Sequence, residues 1–556
     1  VSVEARGALG DQTAIVLIDG RIAGANSRLF TLDAQTVIQT GQPRFDQMYD
    51  KVRAFMQQDV TVYELDGTPV RGYRSPDNNL LWLRDHVYQG RAFRYFERDM
   101  SSLLDAFRRA QRPDGSFPDY LARPEYGVQA ERMGPEADVE YLFVQGVYEA
   151  WQATGDDAWL RGNLAAMRRA IDYTMSDPLR WDAEHQLIKR PFTIDTWDFQ
   201  YGPTTVDPTT NRPAARHWID DQTIWGIFHG DNTGLAHALE LLARIEDQVG
   251  DRDAAERRRA EADALMERLN ALSWNGSFFT HQVHLTPVTV EGVDEARQLS
   301  LSNAYALNRG VLTRKQGRAI VDEYFRRGQT RGNTFAEWYS IDPPFPPGAF
   351  GLAGKAGEQP GEYVNGGIMP LVGGELARGA FRYGAERYGF ATLAHYYKLI
   401  DATGASYLWY YPAGNPGKSS ADTLPTDGWG ASAMFGALIE GAAGVEDRGA
   451  LYQDVALSPR WSYAEGVTSA RVVARYAASN AYFAYRWRRE RNRLLLDWSG
   501  SGEHVRVRLL LPADVKQVAQ VTLDGTPQPI EIGDVYGSRY VDLDVRRGSG
   551  AIEVTW

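Results

Sequence analysis

Cysteine is absent from all 556 residues, which excludes disulfides, thiolate metal sites and cysteine nucleophiles together. No apolar run approaches the roughly 20 residues that a membrane-spanning helix needs. Neither a phosphate-cradling glycine motif nor a dinucleotide fingerprint is found, and no unit of roughly 20–50 residues repeats. Positive charge is in the minority, with 60 Lys and Arg against 72 Asp and Glu, for a net charge of −12. That balance disfavours nucleic acid and anionic membranes as partners, because both reward clusters of cations. It suits a soluble enzyme with a neutral substrate. The lack of cysteine does not fix a compartment. With Val1 in place of a methionine, a trimmed signal segment is expected to be possible, leaving cytoplasmic, periplasmic and secreted settings open. Oligomeric state has no signal in the sequence.

What is abundant is aromatic surface: 15 Trp, 29 Tyr and 21 Phe, together 12% of the chain. Core packing accounts for most of it. Others, such as Trp409-Tyr410-Tyr411-Pro412, lie in loop-like stretches near carboxylates. There an aromatic ring can stack on the C–H face of a sugar while acids and amides bind its hydroxyls.

A chain of this length exceeds one hydrophobic core, so two or three domains are expected. Residues 1–75 open with short β-branched runs broken by Asp-Gly and Gly-Ala-Asn, which predict a few strands. The period then becomes helical. Phe93, Phe96, Met100, Leu103, Leu104 and Phe107 share one helical face, as do Val139, Phe143, Val147 and Trp151, and Leu235, Leu239, Leu242 and Ile245. Helices recur through 76–445, separated by long Gly- and Pro-rich loops of the kind that usually carry function. Over 446–556 the period is two, predicting an antiparallel β-sandwich.

Three segments carry candidate chemistry. In Trp82-Leu83-Arg84-Asp85, the Arg–Asp pair could bind vicinal hydroxyls, or simply cap a helix and pair as ions. In Asp195-Thr196-Trp197-Asp198, two carboxyls flank a tryptophan. A carboxyl against an aromatic wall loses hydration and holds its proton towards neutral pH, as a general acid requires; a helix N-cap is the competing use of Asp195. In Glu362-Tyr363-Val364-Asn365-Gly366-Gly367, an acid beside Asn and an aromatic in a Gly-rich turn could orient water or a sugar, or only start a helix. His281 and His284 lack the spacing and glutamate of a zinc helix. Asp231-Asn232 could bind calcium, but helix capping explains the pair as well. No metal site is expected.

Together these segments, over residues 77–445, resemble the six-hairpin glycosidase superfamily: glucoamylase-type enzymes, trehalases, neutral invertases, processing-glucosidase-like enzymes and disaccharide phosphorylases. The resemblance implies a mainly α fold, an alpha/alpha six-hairpin toroid, with the short N-terminal β segment before it and the sandwich behind. It implies an exo-acting, inverting glycoside hydrolase for an oligosaccharide or glycoside, without a cofactor. Asp198 maps onto the proton donor. Trp82, Arg84, Asp85, Asp195, Trp197, Tyr363, Asn365 and Trp429 map onto the sugar-binding set. Asp427-Gly428-Trp429-Gly430 resembles the start of the twelfth helix. One departure concerns the base. Glucoamylase-type enzymes place it in the loop before the last helix, where residues 411–429 hold no glutamate. Glu362 is then the first candidate, with Glu337 and Asp427 next. Phosphorolysis, which needs no protein base, is the alternative, and a polysaccharide lyase using Tyr and His is the third. An Arg–Asp pair tilts the sugar towards an α-glucoside.

Overall fold

The computed structural model describes residues 2–556 apart from 7–10, 19–20, 25–28, 32–34, 123–129, 133, 192–200, 215, 217, 331–333, 350, 352–356 and 420–422. Along this chain the helices are α1 (Pro43–Asp46), α2 (Met48–Asp59), α3 (Leu83–Phe93), α4 (Ser102–Arg109), α5 (Val139–Thr154), α6 (Asp157–Thr174), α7 (His229–Val249), α8 (Arg252–Ser273), α9 (Ser302–Ala306), α10 (Arg314–Thr330), α11 (Pro370–Arg382), α12 (Glu386–Thr403) and α13 (Gly428–Gly436). From α3 onward every second helix belongs to one ring. Helices α3, α5, α7, α9, α11 and α13 pack in succession, and α13 returns to α3. Helices α2, α4, α6, α8, α10 and α12 pack against members of that ring.

Sequence explains the division. Helices α5 and α13 are buried over nearly their whole length, as a helix flanked by ring neighbours must be, and they are apolar on several faces. Helix α8, with Arg252–Ser273 rich in Arg and Glu, buries one stripe through Ala262, Leu265 and Leu269. Ring closure also needs close approach. A Cβ on Gly374 of α11 would lie 2.3 Å from the Ala433 carbonyl carbon of α13.

The helical face expected to run from Phe93 to Phe107 is divided between two helices. Asp99 Oδ1 accepts hydrogen bonds from the Ser101 and Ser102 amides, at 3.2 and 2.9 Å. That local arrangement competes with helix and restarts the chain as α4.

The C-terminal residues form two sheets. One has the strand order 445–447, 454–457, 504–510, 538–545, 532–535. The other runs 526–528, 520–523, 549–555, 493–500, 482–490, 469–475, and ends on Val37–Gln39. Pairing is antiparallel throughout except between Asp454–Leu457 and His504–Leu510, which run parallel, so the expected all-antiparallel sandwich has one exception. Of the first 75 residues, the strands within 2–31 pair with one another as a separate sheet, and the rest are shared out. Val37–Gln39 pairs with Val473–Arg471 of the distant sheet, α2 packs on α13, and 60–65 with 68–73 form a hairpin across Asp66-Gly67, both at positive φ, as a two-residue turn requires.

Helices and sheets meet on Trp461, which is fully buried. Its ring lies 5.6 Å from Phe45 and 5.9 Å from Phe390, and its Nε1 donates to the Tyr485 hydroxyl at 2.6 Å. That hydroxyl donates in turn to the Ala443 carbonyl at 2.8 Å. Trp461→Ala is expected to cost about 3–5 kcal/mol, measured as the shift in urea unfolding. A loss under about 1 kcal/mol would show that the seam relaxes around the cavity.

Candidate active site

The candidate residues gather where the inner helices begin. Arg84 and Asp85 lie in the first turn of α3, Glu136 and Asp138 directly precede α5, Asp231 lies in the first turn of α7, and Asp427 is the N-cap of α13. Each helix start carries partial positive charge and unpaired amides, an environment that favours carboxylates. Asp427 shows this directly, taking the Trp429 and Gly430 amides at 3.2 and 2.8 Å.

A buried ion network joins three of these starts. Arg84 grips Asp138 in a fork, Nε to Oδ2 at 2.6 Å and Nη2 to Oδ1 at 2.7 Å, and also donates to Glu136. Glu136 is shared with Arg190 at 3.4 Å, and Arg190 reaches Asp231 at 2.9 Å. Burial alone would raise the Asp138 carboxyl, but Arg84 outweighs it and holds the group below the usual carboxylate range. Arg84 is therefore engaged by protein carboxylates.

Next to the network lies an aromatic cluster. Tyr88 stacks on Trp429 with centroids 4.8 Å apart and 9° between planes, and Tyr305 is 5.0 Å from Tyr88. Arg309 ties the Tyr88 side to α7, donating to the Gly230 carbonyl and Thr233 Oγ1 at 2.7 Å each and to the Tyr88 hydroxyl at 3.3 Å. Trp82 is held by Asn78 at 2.9 Å and tilts against Tyr120.

A second group of carboxyls is unlike the first. Asp85 is half-buried; burial pushes it up to about 7, with the charge of Asp77 adding and Arg84 opposing. Burial also lifts Asp427 to about 7 against the pull of its two amide donors, with Asp85 adding repulsion. Asp59, under α13, is also raised, by burial and by the charge of Asp427. Asp85 and Asp427 therefore hold their protons towards neutral pH, whereas Asp138, beside Arg84, does not.

Glu362 sits in a turn directly ahead of α11. Its Oε2 accepts the Gly357 amide at 3.0 Å. The turn is pinned on both sides: Asn365 gives its whole amide to Phe345, at 2.7 and 3.2 Å, and Ser340 Oγ bonds the Tyr363 carbonyl and the Gly366 amide at 2.9 Å each. Asn365 thus holds the loop in place, with one bond from each end of its amide. Tyr363 adopts φ of +38°, a conformation that costs a non-glycine residue about 1–3 kcal/mol and that clusters at functional loops. Glu337 has a different setting. It accepts from the Tyr388 hydroxyl and lies against Gly328 of α10, among the outer helices. Asp195, Trp197 and Asp198 lie outside the described residues.

Sequence reasoning missed Glu136, Asp138, Arg190 and Arg309. The signal available was Glu136-Ala137-Asp138 ahead of an apolar helix, an acidic pair that an ordinary N-terminus would leave in water. His281 and His284 lie 3.6 and 3.1 Å from Glu295, which also accepts from Tyr201 at 2.9 Å.

The sequence matches no family model and no curated protein. Its fold is similar to that of solved α-L-rhamnosidases. The one from Dictyoglumus thermophilum superposes with a TM-score of 0.60 at 11% identity, over 96% of this chain and 51% of that one. The Streptomyces avermitilis enzyme, complexed with L-rhamnose, gives 0.58 at 15%, over 94% and 42%. This chain therefore spans about half or less of their length. A mannosylglycerate hydrolase from Thermus thermophilus, in complex with glucose, gives 0.51 at 15%, over 70% and 99%. At these identities the likeness is one of fold.

The raised carboxyls fix a pH response. Folded Asp427 keeps its proton up to about 7, whereas an unfolded aspartate loses it near pH 4. Between those values the native state binds more protons, so stability falls as pH rises through that window. Asp427→Asn is expected to flatten the fall by about 1.4 kcal/mol per pH unit, read from urea unfolding at pH 4.5–7. An unchanged slope would mean that Asp427 is ionised in the folded protein throughout.

Proposed function

We propose that this chain is a glycoside hydrolase of the six-hairpin toroid class, exo-acting and inverting, with its site at the end of the ring where the inner helices begin. One observation carries the reading. Four helix starts bring carboxylates, arginines and a Tyr–Trp cluster to one place, the combination that binds a sugar by its hydroxyls and its C–H face. Likeness of fold to the rhamnosidases and the mannosylglycerate hydrolase supports it.

In this mechanism Asp198 protonates the leaving glycosidic oxygen and Glu362 takes a proton from the attacking water on the opposite face. Inversion requires the two carboxyls to stand about 6.5–9.5 Å apart, leaving room for that water. The pinned turn supports Glu362 in this role, because a base must be held still relative to its water. Asp85, partly protonated near neutral pH, serves as both donor and acceptor for hydroxyls. Trp82, Trp197, Tyr363 and Trp429 supply stacking walls, while Asp195 adds a hydroxyl acceptor. Arg84 acts indirectly, by setting the orientation of Asp138. The relatives' bound sugars, L-rhamnose and glucose, define the first substrates to try.

Aryl α-L-rhamnosides and α-D-glucosides, offered with and without phosphate, test the reading. Release without phosphate is expected, with Asp198→Asn lowering kcat by at least about a thousandfold at unchanged unfolding midpoint. Wild-type-like turnover in that variant would remove Asp198 as acid. Release that depends on phosphate would make the chain a phosphorylase and leave Glu362 without its role.

A further inference from the structure

A groove of about 1130 Å³ runs along the seam between the helices and the C-terminal sheets, bounded by α1, α12, residues 462–468 and 489–491. Five cations line it, Arg44, Arg387, Lys398, Arg489 and Arg491, against two carboxylates, Glu465 and Glu490. In a chain of net charge −12 this is a local reversal of sign. Part of the charge is neutralised, since Arg489 pairs with Asp514 and Glu490 with Arg493. Among the described residues, Arg44, Arg387, Lys398 and Arg491 pair with no carboxylate.

Two of these cations are fixed in place. Arg387 lies over the Tyr463 ring at 5.4 Å. Arg44 lies over Phe45 at 5.0 Å and donates to the Glu465 carbonyl. A guanidinium held this way has lost much of its rotamer freedom before a ligand arrives, and its remaining N–H groups present a fork that suits a carboxylate. Volume sets the scale of the ligand. Single small-molecule sites occupy about 300–1,000 Å³, so this groove has room for several sugar rings.

We propose that the groove is a second, non-catalytic site that binds the carboxylates of an acidic polysaccharide, such as a polyuronate, while a neutral terminal sugar is removed elsewhere on the protein. This rests on the glycosidase reading for the choice of a glycan. The site itself also argues against single-stranded nucleic acid, which needs open aromatic platforms for its bases. Here the Tyr463 face carries Arg387, and the Tyr397 ring carries Lys51 at 5.8 Å. The net negative charge of the molecule would repel a polyanion and favour the groove as its landing place.

The test is native gel electrophoresis of the full chain through gels containing polygalacturonate, a neutral mannan or no polymer, for wild type and for Arg387→Ser/Arg491→Ser. Retardation by polygalacturonate alone is expected, with about tenfold or more loss of affinity in the double variant, as removal of unscreened docking charges should give. Turnover of an aryl glycoside should be equal in both proteins. That readout is independent of the gel, so a chain without glycosidase activity would be recognised separately from a chain without the groove site. No retardation of wild type, or equal retardation of the variant, would overturn the proposal. So would equal retardation by DNA-containing gels, which would show a general polyanion surface.

Discussion

The buried network of Arg84, Glu136, Asp138, Arg190 and Asp231 is the constraint on which the candidate site depends. Glu136 is fully buried, and a carboxylate in that position is tolerable only while its arginines remain with it. Those arginines come from α3 and from the strand Leu187–Pro191, and their other partners are Asp138 at α5 and Asp231 in α7. Satisfying one buried charge therefore fixes the relative positions of three helices and a strand. Such a network contributes little net stability compared with an apolar core of the same volume. What it contributes is position, since ions in a low-dielectric interior tolerate few alternative geometries.

The site divides its carboxyls by environment. Forked by Arg84, Asp138 stays ionised; Asp85, where the charge of Arg84 only partly offsets burial, and Asp427 keep protons towards neutrality. One residue type thus supplies fixed negative charge on one side and exchangeable protons on the other, a division that acid–base work on a sugar requires. Helix dipoles bias both groups the same way, so the difference comes from the guanidinium groups.

How much of this could be read in the sequence depended on range. Helices α5 and α7 were legible because their apolar periodicity is local. So was the start of α13 at Asp427, where an N-cap and its helix are neighbours. Helix α9 was not legible, because five residues hold little more than one turn and its place in the ring is set by packing. The pairing of Arg84 with Asp138 joins residues 54 apart, and nothing periodic announces it. Val37–Gln39 reads as a strand, but its partner lies more than 430 positions along the chain. Likewise, Asn365 entered the sugar-binding set through resemblance, and its bonds to Phe345, 20 residues away, follow from no local pattern.

That distant pairing gives the chain the form of a clasped hoop. The short strand at 37–39 enters the sheet edge formed by 469–475, and Thr36 reinforces it by exchanging hydrogen bonds with Arg475 at 3.3 and 3.1 Å. Everything between, the whole helical ring included, is a loop whose two ends are fastened together by a few β-bridges. During synthesis the early strand must wait for more than 430 further residues before it finds its partner. Once fastened, the clasp ties the opening of the ring to the unzipping of a sheet edge, so a ring built mainly from contacts between neighbouring helices acquires a long-range lock.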